Sequence, residues 1–249
     1  MIPGLATPSL TIEETHAVIS LVSRRDDVLV WYGNGARTPL SGANLVRWVA
    51  KTTNLIGDLC DGAAHPVVFL DLPPSWHALV WCVAASCSGG QAVMSSRWIG
   101  GDGADTVEQA HHADLVVTSD ATMATTLDDT EPGLPVALLT LTPLALAWDG
   151  SPCDTAVDAI AETFAQPDDF LAPVKPGIRA VETPGCHRGD PCSVDAHPGA
   201  VLLVADERRD VASIITAWTH HRRVICCDDP TLRVTVSAQE GIPITGAHA

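Results

Sequence analysis

Along the chain, apolar positions fall into short continuous runs that alternate with helix-spaced segments. Val28 to Tyr32 is apolar, Gly33-Asn-Gly35 is a turn signal, and Ala36 to Leu40 reads as the returning strand of a hairpin. Ser41 can cap a helix from Gly42 to about Cys60, in which Leu45, Trp48, Val49, Thr52, Leu55, Ile56 and Leu59 recur at helical spacing. Val67 to Leu72 is a strand interrupted only by Asp71. Pro73-Pro74 ends it, and Ser75 caps a helix to about Ser88, where Gly89-Gly90 stops it. Trp76 and the run Ala78 to Ala85 leave that helix no polar face, so it is expected to be covered on all sides, by two layers or by a partner.

The remaining elements follow the same rhythm. Thr11-Ile-Glu-Glu14 reads as a capping box opening a helix to about Arg24. Strands are expected at Ala92–Met94, Leu115–Thr118, Val136–Leu141, Ala200–Ala205, Val224–Cys227 and Ile242–Thr245. Helices are expected at Thr106–His111, Thr155–Phe164, Arg208–His220 and Pro230–Gln239. Strands without clean alternation, separated by helices, mean a mostly parallel sheet, or two small ones, flanked by helices. The fold class is therefore α/β. A single α/β domain over 1–249 is expected, with two possible halves, 1–165 and 200–249. The irregular Pro-, Gly- and Asp-rich stretch 166–199 would join them.

Composition and charge narrow the functional classes. Of 249 residues, 46% are apolar and 18% charged, which is ordinary globular usage. The formal net charge of −16, with Lys51 and Lys175 the only lysines, gives a field that repels nucleic-acid phosphates and anionic lipid. Neither nucleic acid nor membrane is an expected partner. The start MIPGLATPSL has neither a basic n-region nor an apolar h-region, and the eight cysteines are scattered, several in apolar runs. A cytoplasmic location with reduced thiols is the expectation.

Candidate chemistry is sparse. A helix N-terminus at the carboxyl end of a parallel strand is where α/β folds bind anions, so Ser75, Trp76 and His77 are the candidate ligand-binding residues, against the plainer reading of a capped βα corner. Cys186, His187, Cys192 and His197 form a candidate metal cluster, but their spacing matches no zinc-finger or zinc-ribbon pattern. Gly101-Asp-Gly103 offers a partial glycine loop, with Thr106 where a third glycine belongs. His111-His112 and His220-His221 read as helix-end histidines, and Asp120, Asp128, Asp129 and Glu131 as a solvated acidic loop. No catalytic residue and no cofactor is assigned.

From Thr38 onward the order of parts resembles the front of the adenylate-forming enzymes, the acyl-CoA synthetase and AMP-binding superfamily. The matching pieces are Thr38-Pro-Leu-Ser-Gly-Ala-Asn-Leu45, Val67-Val-Phe-Leu-Asp-Leu-Pro73, the apolar helix ending at Gly89-Gly90 with its following strand, Ala113-Asp-Leu-Val-Val-Thr118, Val201 to Cys227, and Glu240-Gly-Ile-Pro-Ile-Thr245. The resemblance is to a short actinobacterial AMP-binding-like family that aligns only with the front of these enzymes. It implies their layered α/β fold and a possible nucleotide or acyl-CoA ligand. The departures are as specific. That superfamily's phosphate loop should lie between Phe164 and Ala200, where Pro173-Val-Lys-Pro-Gly177 is the nearest echo. Its adenine- and magnesium-binding segment and its C-terminal lid with the catalytic lysine have no counterpart. The resemblance thus implies a truncated, non-catalytic homologue: a pseudoenzyme with a binding or regulatory role, acting with a protein partner or as a homo-oligomer. The alternative is an adenylate-forming subunit, or another enzyme, completed by a partner chain.

Overall fold

The computed structural model describes residues 19–20, 22–99, 106–142, 145–150, 154–174, 181–182, 200–204 and 211–242. The described residues divide into two compact units, one within 47–182, the other within 19–46 and 200–242.

In the first unit a six-stranded sheet is parallel throughout. Its strands are β3 (Val67–Asp71), β4 (Gln91–Met94), β5 (Leu115–Thr118), β6 (Val136–Leu138), β7 (Val157–Asp158) and β8 (Val181–Glu182), in the spatial order β7-β6-β5-β3-β4-β8. Helix α1 (Gly42–Leu59) contributes its residues from Arg47 onward. The other helices are α2 (Trp76–Cys87), α3 (Thr106–Ala110), α4 (Ala121–Thr130) and α5 (Ala159–Ala165). The chain runs from β3 through α2 to β4 in one direction and from β5 through α4 to β6 in the other. Because such crossovers are right-handed, α2 and α4 must lie on opposite faces of the sheet. Phe69, Val116, Val136 and Leu138 accordingly pack with Met123, Ala124 and Leu127 of α4 and with Ala110 of α3.

Every residue of α2 from Ala78 to Cys87 is buried, as its lack of a polar face requires. It packs on β3 and β4, and Thr53 of α1 donates to the Ala84 carbonyl at 3.4 Å. The helix is therefore held between its sheet and α1. Ser75 caps it as expected, its Oγ accepting from the Ala78 amide at 3.1 Å, and Gly89 leaves it at φ 86°.

In the second unit the sheet order is β2-β1-β10-β9, with β1 (Leu29–Gly33), β2 (Ala36–Leu40), β9 (Ala200–Val204) and β10 (Arg223–Cys227). Only the β1–β2 pair is antiparallel. Asn34 (φ 51°) and Gly35 (φ 72°) form the two-residue loop of that hairpin, the positive-φ pair that a type I′ turn demands. Helix α6 (Val211–Thr219) joins β9 to β10 and buries Trp218, whose indole N–H donates to the Val28 carbonyl at 3.0 Å. Helix α7 (Arg233–Glu240) follows a 3-10 turn at Pro230–Leu232 and ends at Gly241 (φ 66°). The side chain of its last residue, Glu240, is 4% exposed and ties α7 to the hairpin. It accepts from Tyr32 Oη at 2.5 Å and Arg37 Nε at 2.8 Å, and lies 3.1 Å from Arg223 Nη1.

Three expectations are corrected. Asp120, Asp128 and Asp129 do not belong to an acidic loop: α4 occupies 121–130, Asp120 is its N-cap, and Glu131 follows it. The Thr- and Asp-rich sequence hides this helix because those residues favour turns and caps over helix interiors. Burial of Met123, Ala124 and Leu127 on the sheet overrides that preference. The helix expected from Thr155 begins only at Ala159, because Val157–Asp158 pairs with β6 and Asp158 caps α5. The strand expected at Val136–Leu141 ends at Leu138. The opening residues of the helix expected over 11–24, Gly101-Asp-Gly103, and most of the strand expected at Ile242–Thr245 lie outside the described residues.

Candidate functional site

Strand β3 is the centre of the parallel sheet, with β4 on one side and β5 on the other. The loops leaving β3 and β5 diverge, because their helices go to opposite faces. Open α/β sheets bind ligands in the crevice that such a divergence creates at the carboxyl ends of the strands. Polar side chains collect at this end of the sheet. Asp71 is the last residue of β3 and is 0% exposed, and a buried carboxylate must be paired. Thr118, the last residue of β5, donates its hydroxyl to Asp71 Oδ2 at 3.0 Å. Arg97, which follows β4, brings Nε to 3.0 Å from Asp71 Oδ1. The Nε–H is not aligned on that oxygen. The contact is charge attraction, and both buried atoms lack a hydrogen bond.

The same Arg97 reaches Asp120 Oδ2 with Nη2 at 3.4 Å, and its amide donates to Ser95 Oγ at 3.3 Å. Asp120 is held from three sides. Its Oδ1 accepts from the amides of Thr122 (2.9 Å) and Met123 (3.4 Å), and its own amide donates to Thr118 Oγ1 at 3.1 Å. Arg97 and Asp120 are 31% and 36% exposed, whereas Thr118 and Ser95 are buried with Asp71. Sequence reasoning missed this group. Its one signal was Asp71, a charge inside an apolar strand that ends at a βα loop.

The corner formed by Ser75, Trp76 and His77 stands at the start of the helix that β3 leads into. Ser75 Oγ is engaged as the cap of α2. Trp76 and His77 stack, their rings 3.6 Å apart and 29° from parallel. Trp48 meets Trp76 edge-on at 5.2 Å and His77 at 6.2 Å, and Phe164, 44% exposed, packs against Trp48 at 5.1 Å. Burial pushes the His77 imidazole down to about 3, so the ring is neutral at physiological pH. It is a flat, weakly basic surface and not a proton-transfer group near pH 7. Beside this aromatic group, Arg47 and Lys51 both pair with Asp168, at 3.1 and 3.0 Å.

Three of the described cysteines, Cys60, Cys82 and Cys87, hold their thiols protonated at neutral pH. Burial pushes the Cys60 thiol up to about 11 and Cys87 to about 12, and raises Cys82 as well. Among the described residues no cluster of three or more His, Cys, Asp or Glu side chains could hold a metal ion. Cys186, His187, Cys192 and His197 lie outside the described residues. No helix among those described is long and apolar enough to cross a membrane.

No protein-family model and no curated protein matches the sequence. Solved structures do. Acyl-CoA synthetase from Brucella canis superposes with a TM-score of 0.67 at 15% identity, over 95% of this chain and 47% of that one. Apo MatB from Rhodopseudomonas palustris gives 0.64 at 15% identity, over 92% and 48% of the two chains. The nonribosomal peptide synthetase FmoA3 with AMPPNP bound gives 0.61 at 14% identity, over 96% of this chain and 26% of that one. The chain thus spans about half the length of the synthetases it matches, and less of the larger enzyme. At these identities the likeness carries the fold alone: this chain has the α/β fold of the N-terminal subdomains of acyl-CoA synthetases.

Proposed function

We propose that the protein is a binding or regulatory relative of the adenylate-forming enzymes that takes a nucleotide or an acyl-CoA without activating it. The observation that carries this reading is the likeness to acyl-CoA synthetases over 92–95% of this chain. The chemistry of the described groups supports binding over turnover. Ser75 is committed to its cap, His77 is a poor base, and Asp71 is neutralised by Arg97. Adenylation needs positive charge held at the α-phosphate in the transition state. Arg97 is instead tied to two carboxylates. The corner of Ser75, Trp76 and His77 is the proposed ligand contact, with the Trp76–His77 pair offering an aromatic face. The buried, protonated thiols favour a reducing compartment, which supports a cytoplasmic location.

A thermal-shift titration with Mg-ATP, AMP, CoA and a medium-chain acyl-CoA tests the reading, alongside a pyrophosphate-release assay with carboxylic acids. A ligand at a hundredfold its dissociation constant adds about 2.7 kcal/mol, which for a chain of this size raises the midpoint by about 5–10 °C. The expected result is a shift with at least one of these compounds and no pyrophosphate released. Turnover by the purified protein overturns the non-catalytic part of the proposal. No shift with any compound overturns the binding part.

A further inference from the structure

We propose that Arg97 and Asp120 form a second recognition point, separate from the Ser75–His77 corner, that takes a neutral planar group carrying a hydrogen-bond donor beside an acceptor. A carboxamide is the smallest such group and a nucleobase edge a larger one. The inference starts from what the pair has left over. A carboxylate accepts about four hydrogen bonds and a guanidinium donates five. Among the described residues, Asp120 Oδ1 takes the Thr122 and Met123 amides, and Oδ2 takes only Arg97 Nη2. One acceptor position on Oδ2 remains. Arg97 Nε is spent against Asp71 and one Nη2 hydrogen against Asp120, while Nη1 has no partner among the described residues. A donor position therefore lies beside an acceptor position, on two side chains that are each about one-third exposed.

The pair is held in place from beneath. Asp71, wholly buried, fixes Arg97 by charge, and Thr118 links the Asp71 carboxylate to the Asp120 backbone by donating to Asp71 Oδ2 and accepting from the Asp120 amide. A recognition pair anchored on a buried carboxylate at a diverging strand end needs little reorganisation to bind. Charge selects the ligand class. Asp71, Asp120 and Arg97 together carry one net negative charge, on a chain of net charge −16. A phosphate or carboxylate is repelled, and a neutral amide edge is not.

The test follows the Arg97 side-chain Nε–H resonance in 15N-labelled full-length protein, assigned by its loss in Arg97→Lys. Nicotinamide, adenosine and inorganic phosphate are titrated separately to millimolar concentration. The expected result is a saturable shift with nicotinamide or adenosine and none with phosphate. Nicotinamide alone marks a carboxamide site and adenosine alone a nucleobase site. In Asp120→Asn, which keeps an N-cap of equal quality, the affinity should fall about tenfold or more, the effect of losing a hydrogen bond to a charged group. A saturable shift with phosphate, no shift with any probe, or unchanged affinity in Asp120→Asn overturns the proposal. Because the readout is local to Arg97, failure here is distinct from failure of ligand binding at the Ser75–His77 corner.

Discussion

Replacing Arg97 by Met is the most direct probe of the polar end of the sheet. Met keeps much of the arginine stem and removes the charge that lies 3.0 Å from Asp71. Asp71 is then a wholly buried carboxylate whose remaining support is the Thr118 hydroxyl at 3.0 Å. Breaking a buried ion pair from one side costs about 3–5 kcal/mol. Arg97 is 31% exposed and Thr118 stays, so the lower end, about 3 kcal/mol, applies. That corresponds to a fall in the thermal midpoint of about 6–12 °C. The decisive comparison is the double variant Asp71→Leu with Arg97→Met. An apolar pair of similar volume removes the uncompensated charge, so most of the loss should return, with a coupling of about 2 kcal/mol in the double-mutant cycle. Differential scanning calorimetry of the two singles and the double measures it. If Arg97→Met costs less than about 1 kcal/mol, or the double is as unstable as the sum of the singles, Arg97 does not compensate Asp71 and the reasoning fails.

Further outcomes follow from the titrating groups. His77 is held to about 3 by burial, below its ordinary 6.5. The unfolded chain then binds the extra proton between those values, so stability falls as pH drops through that window, by at most about 1.4 kcal/mol per pH unit. His77→Phe should flatten the dependence of the midpoint on pH there, and the His77 ring signals should not titrate above pH about 4. For Glu240, burial alone would raise the carboxyl, but the bonds from Arg37 and Tyr32 outweigh it and hold it below 4.5. Its contribution is therefore present above the unfolded value and lost on acidification through the folded one. Glu240→Gln should cost about 2 kcal/mol at neutral pH, and the gap to the natural protein in urea titrations should close as pH falls below 4.5. Cys82 and Cys87, buried and protonated, should react with a thiol reagent only as fast as the chain opens, which mass spectrometry of labelled peptides would reveal. Rapid native labelling of either would contradict their burial.

The sequence by itself determined the local rules. Asn34-Gly35 dictated the hairpin turn, because both positions need positive φ. Ser75 dictated where α2 begins, and the unbroken apolar run after it required a helix covered on every side. Continuous apolar strands between helices required a parallel sheet. Periodicity could not reveal α4, whose Thr- and Asp-rich residues are poor helix formers and whose register is set by Met123, Ala124 and Leu127 against the sheet. Nor could it show that β3 sits at the centre with β4 and β5 on either side, since strand order depends on pairings distant in sequence. That order alone brings Asp71, Arg97, Thr118 and Asp120 together from three consecutive βα junctions. In the chain Asp71 is an interruption and Asp120 one acid among several. Only the parallel register, which ends β3 and β5 at Asp71 and Thr118 side by side, turns them into a charged and hydrogen-bonded group.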